Sequence, residues 1–169
     1  MSKTNFLKRE YRTEASRQDL KCGIVDGADG KPAYTTNNCH LKWNATIHNP
    51  DGHSFQFVPV DNNIIIHQQN GHDKESSCDG MLLVEANEMI AFIELKDVRT
   101  GGFSIAIDQL KQTISHFRQS HDYKQFKRRR AYIANIAHPK FQYSMKDEME
   151  LFRNSYKFAL FPDVNIRIF

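Results

Sequence analysis

A chain of 169 residues with 40% apolar and 25% charged side chains has the size and composition of one folded domain, 1–169, and is not that of a disordered chain. Its 23 basic and 20 acidic side chains leave a net charge of +3, too small to announce a polyanionic partner, so where the charges sit matters more than their sum. Three cysteines, Cys22, Cys39 and Cys78, without a Cys-x-x-Cys pair argue against a disulfide framework and point to a reducing, cytoplasmic compartment. The N-terminal residues lack the apolar core of a secretory signal, and no stretch approaches the roughly 20 apolar residues that span a bilayer, so a membrane partner is not expected.

Residues 5–20 are polar, rich in Arg, Lys and Glu and free of Gly and Pro, which predicts a helix. Residues 23–38, with Gly-Ile-Val-Asp-Gly-Ala-Asp-Gly-Lys-Pro and Thr-Thr-Asn-Asn, read as loop. The runs 41–48 and 54–60 flank Asn49-Pro50-Asp51-Gly52 and read as a β-hairpin, and 63–66 as a further short strand before a polar loop over 68–77. Two apolar runs of strand length follow, 79–85 and 89–96, joined by Ala86-Asn87-Glu88, and these predict a central antiparallel hairpin. Beyond Gly101-Gly102, Ile105, Ile107, Leu110, Ile114 and Phe117 recur at helical spacing over 104–120. A basic stretch over 124–130 leads into the apolar strand 131–137, ended by His138-Pro139 because proline cannot continue the ladder. A short helix over 145–156 and one or two strands over 157–169 complete the chain.

Chemistry concentrates in the central hairpin. Glu94 and Lys96 stand two apart on a strand, so both side chains leave the same face of the sheet. An apolar strand carries an inward acid and base only at a cost of several kcal/mol unless they are paired or bind an ion. Asp79 heads the adjoining strand, and the three-residue turn brings its carboxylate toward Glu94. Two facing carboxylates repel, and a hard divalent cation, Mg²⁺ with Mn²⁺ as substitute, removes that repulsion, with the Leu95 carbonyl as a further oxygen ligand. A cation there would activate water toward a phosphodiester, and Lys96 would orient the nucleophile or neutralise developing charge.

Asp79, thirteen intervening residues, then Ile93-Glu94-Leu95-Lys96 resembles the PD-(D/E)xK motif of the restriction-endonuclease-like nucleases. The resemblance covers about residues 78–137. It implies an α/β fold whose core runs helix, three-stranded meander, helix, strand, here with an N-terminal β-hairpin insertion. It implies Asp79 and Glu94 as metal ligands, Lys96 as the catalytic lysine, and a glutamine on the following helix, Gln109 or Gln112, near the scissile phosphate. In one branch that glutamine precedes a tyrosine by four residues, whereas Thr113 follows Gln109 and His116 follows Gln112. Cys78 stands where the name-giving proline would, and a further acid from the first helix would be Glu14 or, second, Glu10. The implied activity is metal-dependent hydrolysis of nucleic acid, DNA ahead of RNA, in defence against foreign DNA, repair or recombination. So small a domain implies a homodimer or a catalytic subunit of a larger complex. The rival is a noncatalytic module that keeps the nuclease fold, although every motif residue is present.

Lys124, Lys127, Arg128, Arg129 and Arg130, interleaved with Tyr123 and Phe126, form either a nucleic-acid contact or a solvated turn. The histidines and cysteines, among them Cys39-His40, His67 and His72, match no common zinc-finger spacing. The absence of a Gly-x-x-x-x-Gly-Lys-Ser/Thr loop argues against nucleotide hydrolysis.

Overall fold

The apolar run Met-Ile-Ala-Phe-Ile-Glu-Leu-Lys becomes the middle strand of a sheet covered on both faces, which is why it shows no alternation of apolar and polar residues. The computed structural model describes residues 3–67, 74–137 and 145–169; residues 68–73 of the loop expected over 68–77, with His72, and the strand stop at His138-Pro139 lie outside them. The strands are β1 (Lys21–Val25), β2 (Tyr34–Thr36), β3 (Ala45–His48), β4 (Phe55–Pro59), β5 (Gly80–Val84), β6 (Met89–Lys96), β7 (Arg128–Asn135), β8 (Ala159–Phe161) and β9 (Asn165–Arg167). The helices are α1 (Phe103–Ser120) and α2 (Lys146–Tyr156).

The protein is a mixed α/β fold with two sheets. One has the order β4-β5-β6-β7-β8, the other β2-β1-β3-β9. In the larger sheet β4, β5 and β6 form an antiparallel meander; α1 then crosses over to bring β7 parallel to β6, with β8 parallel outside it. Even-numbered residues of β6, Ile90 and Phe92, join Leu110, Ile114 and Phe117 of α1 in one core cluster. Odd-numbered residues, Met89, Ala91, Ile93 and Leu95, face Cys22, Ile24 and Ile47 of the smaller sheet in a second cluster.

Four expected elements are corrected. Residues 5–20 form no long helix: only Arg9–Tyr11 makes a 3-10 turn. Phe6 is instead buried edge-on to Phe92 and Phe117, with ring centroids 6.5 and 5.6 Å apart, and Arg17 exchanges backbone hydrogen bonds with Phe55. The helical propensity of a polar segment is a weak preference, and these tertiary contacts override it. The expected loop over 23–38 contains much of β1 and all of β2. The runs 41–48 and 54–60 do supply β3 and β4 but not a hairpin, because β3 pairs with β1 and β9 while β4 pairs with β5. Buried Asn49 holds the connecting turn, donating to the carbonyls of Asp19 and His53 at 3.1 and 2.8 Å and accepting from the His53 amide. Residues 63–66 are not a strand: the chain turns, and Ile64 and Ile66 drop into the helix-side core. The central hairpin, α1, β7, α2 and the terminal strands stand close to where the sequence puts them.

Candidate active site

The register of the central hairpin decides the site. Gly80 pairs with Ile93 and Met81 with Phe92, so continuing the ladder by one residue sets Asp79 opposite Glu94 on the α1 side. Pairing between β5 and β6 ends there, whereas β6 runs on beside β7 as far as Lys96 opposite Asn135. At this fork the Leu95 amide, past the end of β5, donates to Asp79 Oδ2 at 2.7 Å. The N–H and C=O of one strand residue point to the same edge, so the Leu95 carbonyl also lies on the Asp79 side. Gly80 starts β5 because the Phe57 ring lies over it, 2.3 Å from where a Cβ would stand.

Lys96 Nζ lies 3.1 Å from Glu94 Oε1 and donates to Gln109 Oε1 at 3.2 Å. Gln109 in turn reaches the Ser77 carbonyl with Nε2 at 3.5 Å. One turn on, the Thr113 hydroxyl donates to the Gln109 carbonyl at 2.8 Å and accepts the Cys78 amide at 2.9 Å, fastening α1 to the segment that delivers Asp79. The structure thus joins Asp79, Glu94, Leu95, Lys96 and Gln109 in one group. Gln112 is half-buried one turn away, and His116 is half-buried with Nε2 3.8 Å from Glu75.

The electrostatics are those of a site short of positive charge. Glu94 is only 2% exposed, and burial, followed by the charge of Asp79, pushes its carboxyl up to about 8. Burial likewise raises Asp79 to about 7, against the Leu95 hydrogen bond, with repulsion from Asp26 and Asp61 adding to it. Lys96 is the cation that pulls both the other way. Among the described residues Glu94 Oε2 is buried without a hydrogen-bond partner. A divalent cation fits this donor set: hard oxygens, mutual repulsion and an unsatisfied carboxylate oxygen. Among the described residues no three His, Cys, Asp or Glu groups close on a single point. Asp79, Glu94 and the Leu95 carbonyl are therefore the residues that would hold the ion, with water completing its shell.

Neither acid expected from the N-terminal segment joins this group. The Glu14 carboxylate accepts the Thr35 amide at 2.9 Å and the Thr35 hydroxyl, so it is engaged on β2 of the other sheet. Glu10 is exposed and paired with Lys8 at 3.5 Å. The nearby acids that sequence reasoning missed are Asp26, directly after β1, and Asp61, two residues after β4. Asp61 at the end of an apolar run carried a signal, since it mirrors Asp79 at the start of the next one; Asp26 was hidden because its strand was read as loop.

The basic residues occupy the opposite end of the sheet. Arg128 pairs with Met89 and Arg130 with Ala91, whereas Glu94 lies opposite Ile133. Five residues of strand, at about 3.3 Å each, separate Arg128 from Ile133 by roughly 17 Å. Lys127 and Arg128 contact Glu88 at 2.5 and 3.5 Å, while Arg129 and Arg130 donate to the carbonyls of Lys157 and Arg167 at 3.2 and 2.6 Å. Lys124 is exposed.

Fold and site together define a mixed α/β protein with a half-buried to buried carboxylate pair and a lysine at a sheet fork. No described protein family, curated protein or solved structure matches the chain. No helix among the described residues is long and apolar enough to cross a membrane.

Proposed function

We propose that the protein is a Mg²⁺-dependent nuclease of the PD-(D/E)xK type that hydrolyses phosphodiester bonds, in DNA ahead of RNA. The observation that carries this reading is the register placing Asp79 opposite Glu94, with the Lys96 ammonium 3.1 Å from Glu94. The order meander, α1, β7 parallel to β6 supports it, because that is the order the resemblance implies for the second half of the core. The first helix of the core has no counterpart in the described N-terminal residues, where the Arg9–Tyr11 turn and the Phe6 plug stand instead.

When bound, the cation supplies acidification of an attacking water and neutralisation of charge on the phosphodiester. The protein's own groups do the rest. Asp79 and Glu94 would hold the ion, and the Leu95 amide keeps the Asp79 carboxylate turned into the fork. Gln109 fixes the Lys96 ammonium from the helix side, so a positive charge is already in place where the phosphorane gains negative charge. Water oxygen bonds to phosphorus, the bridging P–O bond breaks, and the leaving oxygen takes up a proton. At the far end Lys124, Arg129 and Arg130 have no carboxylate partner among the described residues and offer phosphate contacts to a substrate or to the nucleic acid of a larger complex.

The test is incubation with Mg²⁺ and, separately, duplex DNA, single-stranded DNA and RNA, alongside Lys96→Ala and an EDTA control. The reading requires Mg²⁺-dependent cleavage, fastest on DNA and lowered roughly a hundredfold or more by the substitution. Cleavage indifferent to Lys96 would remove the site assignment, and Mg²⁺ binding without cleavage of any substrate would make the protein a noncatalytic module.

A further inference from the structure

Where α2 ends beside the start of β7, two arginines from different elements converge on one aromatic ring. The Arg118 guanidinium, from α1, lies 4.5 Å from the centre of the Tyr123 ring, and that of Arg129, from β7, lies 5.4 Å from it. Both distances run to one centroid, so the two charges stand no farther apart than about one Debye length, ~10 Å at 0.1 M salt. Neither has a carboxylate partner among the described residues; carbonyls at the C-terminal, negative end of α2 hold them instead. Arg118 Nη1 donates to the Ser155 carbonyl and Arg129 Nε to that of Lys157, each at 3.2 Å. Asp122, the adjoining acid in sequence, accepts the Lys124 amide at 3.1 Å.

Held in this way, the guanidiniums are fixed but not exhausted. Arg129 engages only its Nε–H, which leaves both Nη groups, part of the fork that grips a phosphate through two oxygens. Exposed Lys124 adjoins Tyr123 in the chain, and Lys157, whose carbonyl Arg129 holds, is exposed as well. Lys157 ends α2 in the left-handed conformation, φ 65°, where glycine meets the least strain, so a cationic side chain stands at a position whose backbone disfavours one.

We propose that Arg118 and Arg129, braced on Tyr123 and accompanied by Lys124 and Lys157, form a binding site for the backbone phosphates of a nucleic-acid strand. A phosphodiester offers two free oxygens to the N–H groups of the fork, and its neighbours along the strand answer the remaining cations. A lone carboxylate would leave most of the four charges uncompensated. The site rests on the reading of the protein as one that holds nucleic acid, and not on the cation site at the fork.

The test is fluorescence anisotropy of labelled single-stranded DNA, duplex DNA and RNA with the whole chain in EDTA, where binding is read without cleavage, over a series of salt concentrations. Arg129→Gln keeps an N–H for the Lys157 carbonyl and deletes the charge; it should weaken binding about fivefold or more and flatten the plot of log affinity against log salt by about 0.7–0.9. Lys157→Gly should weaken binding about two- to fivefold while the melting temperature stays level or rises, because the left-handed turn is relieved. Arg129→Gln that binds like the wild type, or that lowers the melting temperature without changing the salt slope, overturns the inference alone. So does polyglutamate that displaces the nucleic acid at equal charge concentration, since the site would then take carboxylates as readily as phosphates. Wild-type protein that binds none of the three nucleic acids overturns the underlying reading with it.

Discussion

Glu94→Gln keeps the shape of a buried side chain and deletes its charge, which makes it a direct probe of the electrostatics of the fork. Burial and the neighbouring Asp79 charge raise the Glu94 carboxyl from 4.5 to about 8. Between those values the folded protein retains a proton that the unfolded chain releases, so metal-free stability falls as pH rises through this window and levels off above it. At about 1.4 kcal/mol per pH unit, the 4.5-to-8 interval sets an upper scale of roughly 5 kcal/mol for Glu94. Asp79, raised from 3.8 to about 7 chiefly by its own burial, adds a loss of the same sign in both proteins. Lys96 loses one partner in the variant but keeps Gln109. The assay is urea unfolding in EDTA at pH 5, 6, 7, 8 and 9. Wild-type stability should drop by a few kcal/mol across this range and recover with Mg²⁺ at pH 8. The variant should drop by less than half as much, exceed the wild type at pH 9 and ignore Mg²⁺. Parallel pH profiles for the two proteins would refute the reasoning.

Two further outcomes follow from named side chains. Gln109→Ala frees the Lys96 ammonium on the helix side, so the rate of Mg²⁺-dependent cleavage should fall about tenfold or more while Mn²⁺ affinity, measured by calorimetry, stays within about twofold. Replacing Lys124, Arg129 and Arg130 by glutamine should weaken DNA binding, and should flatten the plot of log affinity against log salt by about 0.9 for each phosphate that is no longer neutralised, read by fluorescence anisotropy.

The central hairpin was legible because β6 is eight residues long, nearly all apolar and joined to β5 by a turn too short for any other arrangement. Its charges stood out against that background, and period-two alternation placed Glu94 and Lys96 on one face without knowledge of the neighbours. The smaller sheet was less visible. Gly23 and the Asp26-Gly27 pair look like turn residues, yet Gly23 lies inside β1 because the Trp43 ring packs flat on it, 2.2 Å from a Cβ's position. That close approach involves a residue twenty positions away and leaves no local signature. The turn at 49–52 has hairpin chemistry, but the buried Asn49 side chain uses it to pass the chain from one sheet to the other. Within the site, Asp79, Glu94, Lys96 and Gln109 could be named from spacing and resemblance. The nearby Asp61 carried only a faint signal, as an acid closing an apolar run, because its place beside the Asp79 segment depends on β4 pairing with β5 and not with β3.

The proposal that Asp79 and Glu94 hold a divalent cation is tested most directly by crystals soaked in Mn²⁺, with diffraction recorded where manganese scatters anomalously. The account predicts an anomalous peak at the fork, within about 2.0–2.4 Å of oxygens from both carboxylates and of the Leu95 carbonyl. A well-ordered fork with no peak, or a peak coordinated elsewhere on the chain, would contradict it.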